Sequence, residues 1–208
     1  DLEFIDLLIE RQIPLVVLNR LTQNQRVVNI LADDELGAFH IVEFVIKHGH
    51  RKIAIIEGKR GFHSTRQRKA GYKRALKTYG LPLVPAYCVP GNYDVESGYR
   101  GMKRLLEMSD RPSAVFCSND AMAVGALKAC SENKINVPED MTIVGFEDNE
   151  FSAYLTPALT MVKRPIEQIS SEGTRRLIQM IETKKVEPET IYMNTQLIIR
   201  ESVAAAPH

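Results

Sequence analysis

Apolar residues recur along this chain in two alternating rhythms. Short continuous runs at residues 15–18, 28–31, 53–56, 87–89, 114–117 and 143–146 read as buried strands. Between them the apolar positions spread to spacings of three and four. Tyr72, Ala75, Leu76 and Tyr79 share one helical face, as do Val95, Tyr99, Met102 and Leu106, and further on Ile166, Ile169, Gly173, Leu177 and Met180. Strands that alternate with helices predict a parallel sheet covered on both faces. Ile143 and Val144 are expected in its centre, and Tyr72 and Tyr99 in the cores beneath their helices.

The residues at the ends of these elements support the same register. Asp33 or Asp34 can cap the helix that runs toward Lys47, and Gly49 stands just past its end. Asn119 and Asp120 fall where a strand passes into a helix, the usual place for an N-cap. Residues 82–90 contain Tyr87-Cys88-Val89 and are expected to be ordered rather than a linker.

Composition narrows the function classes. With 208 residues, 44% hydrophobic and 25% charged, the chain can bury one or two cores. Lysine and arginine total 27 against 26 acids, a net charge of +1, so nothing global favours nucleic acid as a partner. Contact with DNA would need a segment outside this chain. Cys88, Cys117 and Cys130 are odd in number and lack Cys-x-x-Cys spacing, which fits packed thiols in a reducing, cytoplasmic compartment. No apolar run approaches the ~20 residues of a membrane span, and no charged-then-apolar leader opens the chain, so no membrane partner is expected. No nucleophile with a base, dinucleotide glycine pattern or metal constellation appears, and neither an enzyme nor a cofactor is expected. His48 and His50 bracket Gly49 without a supporting third ligand, and Glu57-Gly58-Lys59-Arg60-Gly61 lacks the ending of a phosphate loop.

Candidate chemistry gathers where strands end. The run through Ile143 and Val144 delivers Glu147 and Asp148 just beyond its carboxyl end, the side on which open α/β sheets bind ligands. The same acids also read as part of a solvated loop with Glu150. Arg68 offers a rigid fork of donors near a helix start, against the local dipole, and otherwise reads as a solvated arginine among Arg66, Lys69 and Lys73. Asn119 carries a donor and an acceptor suited to a hydroxyl, or serves only as a cap. Tyr93 could stack on a ring-shaped ligand or cover the neighbouring helix.

An ordered set of motifs carries a resemblance. Gly49-His50-Arg51-Lys52-Ile53-Ala54, Arg68-Lys69-Ala70-Gly71-Tyr72, Ser97-Gly98-Tyr99, Ser118-Asn119-Asp120-Ala121-Met122-Ala123, residues 137–148, Leu155-Thr156-Pro157-Ala158-Leu159-Thr160 and Leu197-Ile198-Ile199-Arg200-Glu201-Ser202 follow one another along the chain. Together they resemble the effector-sensing domain of LacI/GalR-type transcriptional regulators. The resemblance implies an α/β fold of the periplasmic-binding-protein-like type I, two Rossmann-like lobes with parallel sheets holding an effector between them. Mapped here, the first lobe takes residues 1–58 and 165–185, the second 59–164 and 186–208. The family places three further strands ahead of residue 13 and a helix-turn-helix upstream of those, so the first lobe is expected to be incomplete and DNA contact to lie outside the chain. The implied effector is a sugar or similar small polar molecule, and the implied assembly a homodimer. Arg68 matches the family's pocket arginine; Asn119 matches the asparagine that faces the effector, with Asp120 acting more as the cap. Tyr93 stands where Trp or Phe is usual. Glu147 replaces the usual aspartate, reaching ~1.5 Å further, so either the ligand is smaller or differently oriented, or Asp148 takes over, and both carboxylates are candidates. A periplasmic-type sugar-binding protein of a transporter shares the fold and is the alternative. Gly49-His50-Arg51-Lys52 and the Leu-Thr-Pro-Ala-Leu-Thr run resemble the regulators more closely.

Overall fold

In the computed structural model, which describes residues 2–22 and 27–207, each apolar run expected to be a strand lies on one. The chain begins with α1 (Leu2–Glu10), β1 (Val16–Leu18) and β2 (Val28–Ala32). Strands and helices then alternate: α2 (Asp34–Lys47), β3 (Ile53–Ile56), α3 (His63–Thr78), β4 (Cys88–Val89), α4 (Val95–Leu106), β5 (Ala114–Cys117), α5 (Asp120–Glu132) and β6 (Thr142–Glu147). After these come β7 (Thr160–Lys163), α6 (Ile166–Thr183), β8 (Thr190–Met193) and β9 (Gln196–Ile198).

The strands form two sheets. One has the order β1-β2-β8, all parallel; the other runs β4-β3-β5-β6-β7-β9, parallel except for β9, which lies antiparallel to β7. In the larger sheet the two-residue period of the strands divides the core cleanly. Ala54, Ile56, Val115, Cys117 and Ile143 join one cluster with residues of α4 and α5, while Ile53, Ile55, Phe116, Val144 and Phe146 join another with residues of α2 and α3. Ile143 and Val144 are fully buried, as expected. Each such aliphatic side chain contributes roughly 1.5–3 kcal/mol when removed from water.

The helices on one face touch closely because small residues line their crossing. A Cβ on Gly125 would lie 2.0 Å from the Val95 carbonyl oxygen, and one on Gly98 would lie 2.1 Å from the Met122 carbonyl oxygen. Not every expected core position is inside. Tyr79, Val95 and Ile166 are exposed because each sits at a helix end, and Tyr99 is only half-buried, its hydroxyl donating to Glu132.

The chain divides into two compact units, one of residues up to 33 with 165–195, the other of residues 34–164 with those from 196 onward. This corrects the division at 58 and 185 read from the sequence, whose outer bounds at 1 and 208 lie outside the described residues. β3 belongs to the larger unit because it pairs with β4 and β5, and α2 goes with it because its backbone packs on Gly71 of α3. β8 belongs to the smaller unit because it pairs with β2.

Candidate functional site

Parallel pairing puts the carboxyl ends of β3, β4, β5 and β6 along one edge of the larger sheet. The segments that leave those ends carry the expected site residues. Arg68, in the second turn of α3, is 1% exposed. Its Nη1 donates to the Ser118 carbonyl; its Nη2 donates to Glu147 Oε1 at 2.9 Å and lies 3.4 Å from Asp34 Oδ1. The guanidinium also faces the Phe146 ring at 4.0 Å, with the Tyr93 ring at 5.8 Å. Burial pulls its pKa down, but the Asp34 and Glu147 carboxylates outweigh that and hold it above the usual value. Arg164 lies 3.8 Å from Glu147 and 3.9 Å from Asp34, so two arginines and two acids form one charge-balanced cluster. These acids explain how a cation is tolerated near a helix start.

Tyr93 is clasped rather than free. Its hydroxyl lies 2.9 Å from both Ser64 Oγ and Thr65 Oγ1 at the start of α3, and its ring lies flat enough on Gly58 that a Cβ there would come within 2.1 Å of it. Asn119 is the N-cap of α5, its Oδ1 accepting from Met122 N at 3.0 Å, while its Nδ2 donates to the Tyr93 carbonyl at 3.0 Å. The expectation that Asp120 would be the cap is therefore corrected. Asp120, 4% exposed, instead accepts from both the backbone and side-chain amides of Asn149, and burial raises its pKa against those hydrogen bonds.

The two acids after β6 point to different partners. Glu147 faces Arg68 with its side chain 32% exposed, whereas Asp148, 6% exposed, is paired with Arg200 Nη1 at 2.6 Å. Thus Arg68, Tyr93, Asn119 and Glu147 are linked by direct contacts, while Asp120 and Asp148 are each turned to a supporting partner. Tyr93, Glu147 and Asp148 have φ of +65°, +99° and +61°. Left-handed backbone at residues with a Cβ costs on the order of 1–3 kcal/mol each and clusters at functional sites.

Sequence reasoning missed several contributors. Asp34 was visible only as a cap, and Ser64, Thr65 and Arg164 carried no assigned role. Arg200 stood in a recognised motif without an assigned role. The paired acid, amide and guanidinium groups can exchange hydrogen bonds with a hydroxylated ligand, and within the Arg68–Glu147 pair Glu147 is the open member, its side chain 32% exposed against 1% for Arg68.

Residues 42–203 match the family of periplasmic binding protein-like domains. The chain is 46% identical over 203 residues to the probable HTH-type transcriptional repressor ExuR of Bacillus subtilis, covering 98% of this chain and 61% of that protein. It is 35% identical over 199 residues to the HTH-type transcriptional repressor PurR of Erwinia tasmaniensis, covering 95% and 58%. The chain thus spans about three-fifths of the length of these curated relatives. Among solved structures, a LacI-family sugar-binding transcriptional regulator from Escherichia coli, complexed with phosphate, superposes with a TM-score of 0.86 at 34% identity, over 99% of this chain and 74% of that one. The chain belongs to the periplasmic binding protein-like domain family and is homologous to the effector-binding region of LacI-type repressors.

Proposed function

We propose that this chain is the ligand-sensing part of a LacI-type repressor, acting as a homodimer, in which a sugar or similar small polar effector engages Arg68, Glu147, Asn119 and Tyr93 and thereby alters operator binding by a DNA-reading segment outside this chain. The observation that carries the reading is the buried Arg68 bound to a partly open Glu147 at the carboxyl edge of a parallel sheet. Such a pair gives vicinal hydroxyls both an acceptor and charge-assisted donors. The homology to repressors, one of them described as sugar-binding, supports the same reading over a transport role.

A thermal-shift panel of neutral sugars, sugar acids and sugar phosphates tests it, since a molecule that binds only the folded state raises the melting temperature. Operator affinity of the full-length protein with and without the active compound tests the coupling. Linkage requires the effector to bind the operator complex less tightly if it releases DNA, and more tightly if it promotes binding, by the same factor in each direction. A panel with no active member, or an active one that leaves operator affinity unchanged, overturns the proposal.

A further inference from the structure

The exit from β6 is held in place by groups that do not themselves face the candidate effector residues. Glu147 and Asp148 adopt consecutive left-handed conformations, a pair that side chains with a Cβ rarely adopt unless their surroundings impose it. Asn149, the next residue, is bound through its backbone and side-chain amides by Asp120. Asp148 is ion-paired with Arg200 through close charge contact, without hydrogen-bond geometry at its Oδ1. Arg200 is itself fixed: its Nη1 donates to the Leu159 carbonyl at 2.6 Å and its backbone amide to Thr160 Oγ1 at 2.9 Å, just after β9 has paired with β7.

We propose that Arg200 is a positioning residue of the effector site, anchoring Asp148 and so holding the turn in which Glu147 reaches Arg68. This rests on the reading of Arg68 and Glu147 as effector residues. Adjacent residues send their carboxylates to different partners, Asp148 to Arg200 and Glu147 to Arg68. Releasing Asp148 removes one restraint on the left-handed backbone, and its relaxation draws Glu147 away from the guanidinium. The chemistry asked of position 200 is a cation that reaches both the Leu159 carbonyl and a nearly buried carboxylate, which a neutral side chain cannot supply.

The test reads Arg68 directly. Its Nε–H is buried and has no hydrogen-bond partner among the described residues, so its side-chain NMR resonance reports the guanidinium's surroundings. The resonance is assigned by its loss in Arg68→Lys, and Glu147→Gln gives its position when the carboxylate partner is neutral. In Arg200→Met and in Asp148→Asn, each with native circular dichroism, the resonance is expected to shift toward the Glu147→Gln position. The double variant should move it no further, and Arg200→Lys should keep it near the parent. An unmoved resonance in folded Arg200→Met overturns the proposal, as does a shift in Arg200→Met that Asp148→Asn does not reproduce. If Arg200→Met does not fold, the near-isosteric Asp148→Asn decides alone. No sugar enters this readout, so a protein that binds none would sink the proposed function while these shifts still decided the role of Arg200.

Discussion

Single residues carry their energetic weight here through burial of charge. Arg68 neutralises Asp34, 7% exposed, together with Glu147. Replacing it with methionine leaves those carboxylates without their nearest cation, and breaking a buried pair in this way costs roughly 3–5 kcal/mol. Urea unfolding of Arg68→Met should show that loss, and adding Glu147→Gln should recover part of it; an unaltered midpoint in the single variant would contradict the cluster. His50 shows the same principle for a neutral group. Its Nε2 donates to the Ala204 carbonyl at 3.1 Å, leaving Nδ1 to accept from Ser113 Oγ at 2.9 Å, and burial lowers its pKa. The unfolded chain therefore binds more protons at this site. Stability is undiminished by this group above about pH 6.5 and falls as pH drops below that toward the lowered folded value. Melting temperatures measured across this range should fall less steeply in His50→Gln than in the parent.

At the scale of elements, glycine governs how near α4 and α5 approach. Gly125→Ala drives a methyl into the Val95 carbonyl, and overpacking of this kind costs about 1–3 kcal/mol. Denaturant midpoints of Gly125→Ala and a control at the exposed Lys128 position would separate a packing effect from a helix-propensity effect. In the larger sheet β3, β5 and β6 were legible because they are continuous, mainly apolar runs, as strands buried on both faces must be, whereas β7 and β9 were not read as strands. Nor was β8, because alternate residues of Thr190–Met193 are exposed and polar residues on either side cut short any continuous apolar run there. The candidate site was legible as a set of loop residues, yet not in its wiring. Asn119 and Asp120 both suit a cap, and only the geometry shows Asn119 taking Met122 N. Likewise the spacing of Glu147 and Asp148 could not show which one faces Arg68, since the left-handed backbone that separates them leaves no mark in residue type.

At the scale of the whole molecule, the two units differ in what sustains them. The smaller has a core of Val28, Ile30, Ala32, Ile169 and Met180, and it leaves Phe4, Ile13, Ile178 and Ile181 exposed. The larger buries two separate clusters on the faces of six strands. Amides of β1, β2 and β8 should accordingly exchange with deuterium sooner than those of β3, β5 and β6, because local opening is easiest where few apolar side chains hold the backbone. Equal protection in both sets would show that the small core is sufficient. Neither unit is continuous in sequence: β8 closes the first sheet after residue 189 and β9 closes the second after residue 195. During synthesis the chain thus leaves the ribosome with both sheets short of an edge strand until almost all of this region has been made. A nascent chain stopped at residue 185 would present two unfinished edges to chaperones at once, whereas about a dozen further residues complete both.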